Sequence, residues 1–86
     1  MSVALRYRND YWIAWAHDAS QGGLRLYAPA PLPLNADLRV EMPTTLRGVT
    51  HSDGECLARV VACERAPTRH GYAYQIRLAF LDAPNA

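Results

Sequence analysis

A chain of 86 residues, 50% of them hydrophobic and 20% charged, is long enough to bury about 60% of its unfolded surface and too apolar to stay disordered. Its formal net charge of +1 gives no general field for a long polyanion such as duplex DNA, which needs many phosphate contacts, although a few local arginines suffice for a small anion. No apolar run reaches membrane-spanning length, and Met1-Ser2-Val3-Ala4-Leu5-Arg6 lacks the basic region and apolar core of a signal peptide, so a cytoplasmic protein without membrane insertion is expected.

All 9 basic residues are arginine, a bias of GC-rich bacterial coding. One domain over 1–86 is expected. Cys56 and Cys63 are 7 apart, an odd separation that puts them on opposite faces of one strand and favours a role as small hydrophobes. No C-x-x-C pair supports a metal site.

In chain order, Val3, Leu5 and Tyr7 alternate with polar or small residues and predict a strand over 2–7. Arg8-Asn9-Asp10 reads as a hairpin turn. The next run, Tyr11 to Asp18, places Tyr11, Ile13, Trp15 and His17 on one face and Trp12, Ala14 and Ala16 on the other, and its aromatic density favours a strand.

Asp18-Ala19-Ser20-Gln21-Gly22-Gly23 follows as a turn. Asp and Ser side chains bond back to backbone amides there, and the glycines are expected to supply positive φ. Leu24-Arg25-Leu26-Tyr27 alternates again. Pro29, Pro31 and Pro33, each without a ladder donor, make the segment after it an extended surface connection.

Leu38, Val40 and Met42 predict an inward face over 36–42, stopped by Pro43, and 44–54 has loop chemistry. Glu55 to Glu64 reads as a long strand. Its small face of Cys56, Ala58, Val60 and Ala62 is expected inward, because Arg59 on the other face would be buried without a partner. Residues 65–71 close a hairpin, and Tyr72, Tyr74, Ile76, Leu78 and Phe80 give the last strand the clearest alternation. Six strands without a credible helix imply an all-β antiparallel barrel or small sandwich, and closure into a six-stranded barrel removes exposed edges.

His17, Asp18 and Ser20 are too close along one strand end to align as a triad. His51 and His70 each stand alone in a polar loop, and no two carboxylates pair for acid–base work, so no enzyme, metal or cofactor is expected. Binding is better supported. The turn offers acceptors on Asp18 and Ser20 and donors in the amides near Gly22 and Gly23, suited to a base edge and a phosphate. Arg6 and Arg8 add bidentate contacts if the first hairpin lies beside it, and Tyr11, Trp12 and Trp15 add stacking faces, although these arginines also fit a solvated strand face and the aromatics also fit a core.

The D-x-S-x-x-G turn, Leu24-Arg25-Leu26, the strand near Leu38 to Met42, Ala58-Arg59-Val60-Val61 and the closing Tyr74-Gln75-Ile76-Arg77-Leu78-Ala79-Phe80 together resemble a PilZ domain over essentially the whole chain. The resemblance implies a six-stranded antiparallel split barrel that receives cyclic di-GMP and acts on motility, pilus or exopolysaccharide machinery in bacteria. It further implies that Asp18 and Ser20 contact a guanine and its phosphate, while Gly23 keeps the turn open. The family's R-x-x-x-R clamp has no counterpart ahead of the first strand, and Arg65 and Arg69, which have that spacing, fall in the late hairpin.

Two lost charge-assisted contacts of about 1.5–3 kcal/mol each weaken binding by about two to four orders of magnitude, unless Arg6, Arg8 or another subunit compensates. The first expectation is therefore a cyclic di-GMP receptor using Asp18, Ser20, Gly22, Gly23, Arg6 and Arg8. The second is a degenerate barrel that serves as a protein-interaction adaptor through exposed residues such as Trp12 or Tyr27. A third, an unrelated barrel for single-stranded nucleic acid, is disfavoured by the near-neutral charge.

Overall fold

The computed structural model describes residues 2–20, 22–41, 55–66 and 73–81. Six strands appear: β1 Ser2–Tyr7, β2 Asp10–Ala19, β3 Gly23–Ala28, β4 Asp37–Glu41, β5 Glu55–Arg65 and β6 Tyr74–Phe80. They close into a barrel in the order β1-β2-β3-β6-β5-β4, with all neighbours antiparallel and β4 returning to pair with β1. No helix occurs among the described residues. The expected loop at 44–54, Met42, and most of the hairpin carrying Arg69 and His70 lie outside the described residues, although Ala66 donates its N–H to the Ala73 carbonyl at 2.9 Å and so begins to close that hairpin.

The core follows from alternation. Val3 and Leu5 on β1, Leu24, Leu26 and Ala28 on β3, Leu38 and Val40 on β4, and Ile76, Leu78 and Phe80 on β6 fill the lumen. β2 and β5 contribute mainly small residues, Ala14, Ala16, Cys56 and Ala58, which leave room for the leucines opposite. No polar or charged residue is buried among the described residues.

The proline-containing connection between β3 and β4 does more than run over the surface. Its ends belong to strands that are not neighbours, so it crosses the barrel, and on the way it buries Leu32 in the core. It is held by the Asn35 N–H donating to the Val60 carbonyl at 2.8 Å and the Val60 N–H donating to Ala36 at 2.9 Å. Asn35 turns the chain into β4 with φ 68°, a value this residue type tolerates.

Two bulges break the alternation. In β2 the register with β3 shifts between Ala16 and Asp18, and in β5 the register with β6 shifts between Val60 and Ala62. The second corrects the reading of β5. Val61 becomes the extra residue, Ala62 pairs with the outward Arg77, and Cys63 pairs with the inward Ile76 and packs against the core. Cys56 and Cys63 therefore share the inward side, and no disulfide joins them; seven residues of strand place them about 20 Å apart, far beyond bridging distance.

Arg59 stays outward as expected and meets Asp37 in a two-pronged contact, Nε–Oδ1 at 2.7 Å and Nη2–Oδ2 at 3.3 Å, across β4 and β5. The exposed apolar face of β2 consists of Tyr11, Ile13 and Trp15, whereas Trp12 points the other way and packs against the core and Tyr27 is half-buried in a stack with His17, their ring centroids 4.7 Å apart. Of the two residues expected in an interaction patch, Trp12 lies on the inner side of β2, while Tyr27 stays on the outer face opposite Trp15.

The Arg8-Asn9 hairpin loop is made with Arg8 at φ 55°, a region that costs a side-chain-bearing residue about 1–2 kcal/mol. Arg8→Gly is expected to raise stability by about 0.5–1 kcal/mol, read as a higher midpoint in denaturant unfolding. Asp37 has its carboxyl held below its ordinary value, chiefly by the hydrogen bond from Arg59, with burial opposing it and the Arg59 charge adding a smaller pull downward. The stabilisation by this ion pair is thus present above the unfolded value of Asp and lost as pH falls through the lower folded value. A carbon-detected titration of the Asp37 carboxyl is expected to place its midpoint below that of a model peptide, and Arg59→Gln to return it to the ordinary range.

Candidate functional site

The bulge in β2 decides what the turn presents. Unbroken alternation from Ala14 and Ala16 would send Asp18 into the lumen as a buried carboxylate, at a large desolvation cost. With His17 as the extra residue, Asp18 stands opposite Arg25 on the outer face and Ala19 opposite Leu24 on the inner one. Asp18, Ser20 and Gly22 are all exposed.

The turn is pinned at both ends by backbone. The Ser20 N–H donates to the Gly23 carbonyl at 3.0 Å, and the Phe80 N–H donates to the Gly22 carbonyl at 2.9 Å, tying the turn to the end of β6. Neither described glycine takes the positive φ expected of it. Gly23 is required for another reason: a Cβ there would strike the backbone carbonyl of Leu78, where β3 and β6 approach each other. Around Gly22 the space is open.

Asp18, Ser20, Gly22 and Gly23 come together on one cavity of about 290 Å³, completed by Arg25 from β3, Arg77 from β6 and Val61 from β5. Val61 reaches it as the outward residue after the buried Val60. Arg25 and Arg77 are direct partners in the β3–β6 ladder and point outward side by side.

Arg6 and Arg8 are not brought to this cavity. β1 runs antiparallel to β2, with Ser2 opposite Trp15 and Tyr7 opposite Asp10. The end of β1 near the turn is its start, and Arg6 and Arg8 belong to its far end, about 20–30 Å of strand away from Asp18. There Arg6 lies 3.9 Å from Glu41 and beside the Tyr11 ring, and Arg8 sits over Tyr7 with its guanidinium carbon 5.3 Å from the ring centroid. The condition under which Arg6 and Arg8 would add contacts, that the first hairpin lie beside the turn, is not met in this ladder.

Arg25 and Arg77 are the cations that sequence reading missed. Each is legible alone as an outward residue in Leu24-Arg25-Leu26 or Ile76-Arg77-Leu78, but their adjacency depends on the pairing of β3 with β6. Among the described residues, no group of three or more His, Cys, Asp or Glu side chains could hold a metal ion, and no helix is long and apolar enough to cross a membrane.

A small closed antiparallel barrel with a polar turn and a cationic pair on its outer face defines the architecture. The family model of the PilZ domain matches residues 1–86, and the chain belongs to that family. The family is one of cyclic di-GMP receptors, binding domains rather than catalytic ones. No curated protein and no solved structure matches the chain.

The two glycines of the turn separate fold from surface. Gly23→Ala is expected to cost about 1–3 kcal/mol, since the obstacle is backbone and cannot swing aside. Gly22→Ala is expected to stay within about 0.5 kcal/mol of the wild type. Urea unfolding of the two variants side by side checks both.

Proposed function

We propose that this PilZ domain binds cyclic di-GMP at the Asp18–Gly23 turn and serves as a receptor in bacterial second-messenger signalling. The observation that carries the reading is the convergence of Asp18, Ser20, Gly22 and Gly23 on one cavity of the outer face. An ionised Asp18 accepts from the N1–H and exocyclic amine of a guanine, an edge that adenine does not present. The Ser20 hydroxyl donates to a phosphate oxygen. A cavity of about 290 Å³ is at the lower limit for small-molecule sites and holds one end of a dinucleotide.

Arg6 and Arg8 take no part in this reading, because they are held at the opposite end of β1. A cytoplasmic location belongs to the same reading, since a receptor of this messenger works where the messenger is made.

A second reading, a protein-interaction adaptor for motility, pilus or exopolysaccharide machinery that works without the nucleotide, is favoured by one observation. Tyr11 and Ile13 are 53% and 48% exposed on the outer face of β2, an unusual position for two large apolar side chains together with Trp15.

Calorimetric titration of the full chain with cyclic di-GMP, with cyclic di-AMP as control, separates the readings. Saturable heat with the guanine ligand is expected, and a ligand at a hundred times its Kd raises stability by about 2.7 kcal/mol, a shift in Tm of about 10 °C or more. Asp18→Ala is expected to weaken binding at least about tenfold, while Arg6→Ala and Arg8→Ala leave it unchanged. Absence of both heat and thermal shift would sink the receptor reading and leave the adaptor.

A further inference from the structure

We propose that Arg25 and Arg77 form a phosphate-binding pair at the centre of an extended site, and that a second groove beyond them is a base subsite built by Glu64 and Gln75. One cyclic dinucleotide then lies across β2, β3, β6 and β5. This rests on the reading of the turn as a cyclic di-GMP site and assigns the half of the ligand that the turn does not hold.

The second groove, of about 180 Å³, is lined by Arg25 and Arg77 together with Ala62, Glu64 and Gln75. The two arginines therefore belong to both cavities and form the ridge between them. Strand register sets the order. Asp18 pairs with Arg25, Arg25 with Arg77 and Arg77 with Ala62, while Glu64, two residues further along β5, pairs with Gln75. Carboxylate, guanidinium, guanidinium and carboxylate follow one another across the face. A cyclic dinucleotide has the matching sequence of base, phosphate, phosphate and base.

The span agrees as well. Three strand spacings and one step of two residues separate Asp18 from Glu64 by about 15 Å, suited to a ligand with its bases splayed outward. At the second subsite the Glu64 carboxylate accepts from the guanine N1–H and amine, and the Gln75 amide donates to O6.

The arginines themselves call for a counterion. Like charges directly opposite in an antiparallel ladder repel, and among the described residues neither Arg25 nor Arg77 has a carboxylate within ion-pair distance. Arg59, by contrast, holds Asp37 at 2.7 Å, and Arg6 lies near Glu41 at 3.9 Å. Two phosphates between the guanidiniums turn that repulsion into charge-assisted hydrogen bonds. The bulge in β5 contributes by turning Ala62, a small residue, outward as the floor of the second groove, next to Val61, which lines the first cavity.

The test is calorimetry of the full chain with cyclic di-GMP, using Arg25→Gln, Arg77→Gln and Glu64→Gln beside Asp18→Asn; all four positions are exposed, and the Tm of each unliganded variant checks that it folds. Each arginine variant is expected to weaken binding at least about tenfold and to flatten its salt dependence, and Glu64→Gln to weaken it at least about fivefold. If Asp18→Asn abolishes binding while the arginine variants bind as the wild type, the extended site is overturned and the turn reading stands. If the arginine variants bind weakly but Glu64→Gln does not, the second base subsite is overturned. If the wild type binds no cyclic di-GMP, the turn reading fails, and inorganic pyrophosphate then reports on the arginines alone. Saturable shifts of the Arg25 and Arg77 Nε–Hε resonances support the phosphate-binding pair, and unmoved resonances overturn it.

Discussion

A barrel of six strands encloses a lumen that only side chains fill, so each strand has one face that must be apolar and one that meets water. Because side chains alternate with a period of two, one residue inserted into a strand exchanges the two faces beyond it. The rest of this structure depends on where that exchange is allowed. It occurs at His17 in β2 and at Val61 in β5. Both bulges feed the same outer face, the one carrying the turn and the arginine pair. Without the first, Asp18 would face the core; without the second, Ala62 would face the core and Cys63 would turn away from Ile76.

The distribution of charge follows from the same ladder. Asp37 and Arg59 meet because β4 and β5 pair in a register that places them opposite each other. Arg25 and Arg77 meet because β3 and β6 pair likewise, and they meet as like charges. In one place the register makes an ion pair that helps to hold the barrel, and in the other it makes a concentration of positive charge beside an exposed carboxylate and hydroxyl. The first arrangement is complete by itself. The second leaves room for an anion from outside, as the proposed site requires, whereas at the Arg6 and Arg8 end Glu41 and the rings of Tyr7 and Tyr11 are already at hand.

Glycine roles were legible in position and not in cause. Gly22-Gly23 marks a turn in any reading of this chain, and a turn is found there. The expectation of positive φ came from the turn alone. The actual demand on Gly23 comes from the Leu78 carbonyl, a residue 55 positions away in a chain of 86. Likewise Pro29, Pro31 and Pro33 correctly excluded a strand after Ala28, but nothing local says that Leu32 between them fills the core.

Local pattern by itself determined the six strands, most inward faces, the outward position of Arg59, and the D-x-S-x-x-G turn with its Asp18 and Ser20. Those features are set by alternation, turn chemistry and the cost of burying charge, all of which act between near neighbours in the chain. Tertiary structure decided the rest: the order in which the barrel closes, the bulges that reverse the faces of β2 and β5, the distance of Arg6 and Arg8 from the turn, and the meeting of Arg25 with Arg77. Each of these is a matter of which strand pairs with which and in what register. Pairing is settled by how the whole set of side chains packs into one closed lumen, and no single segment carries that information.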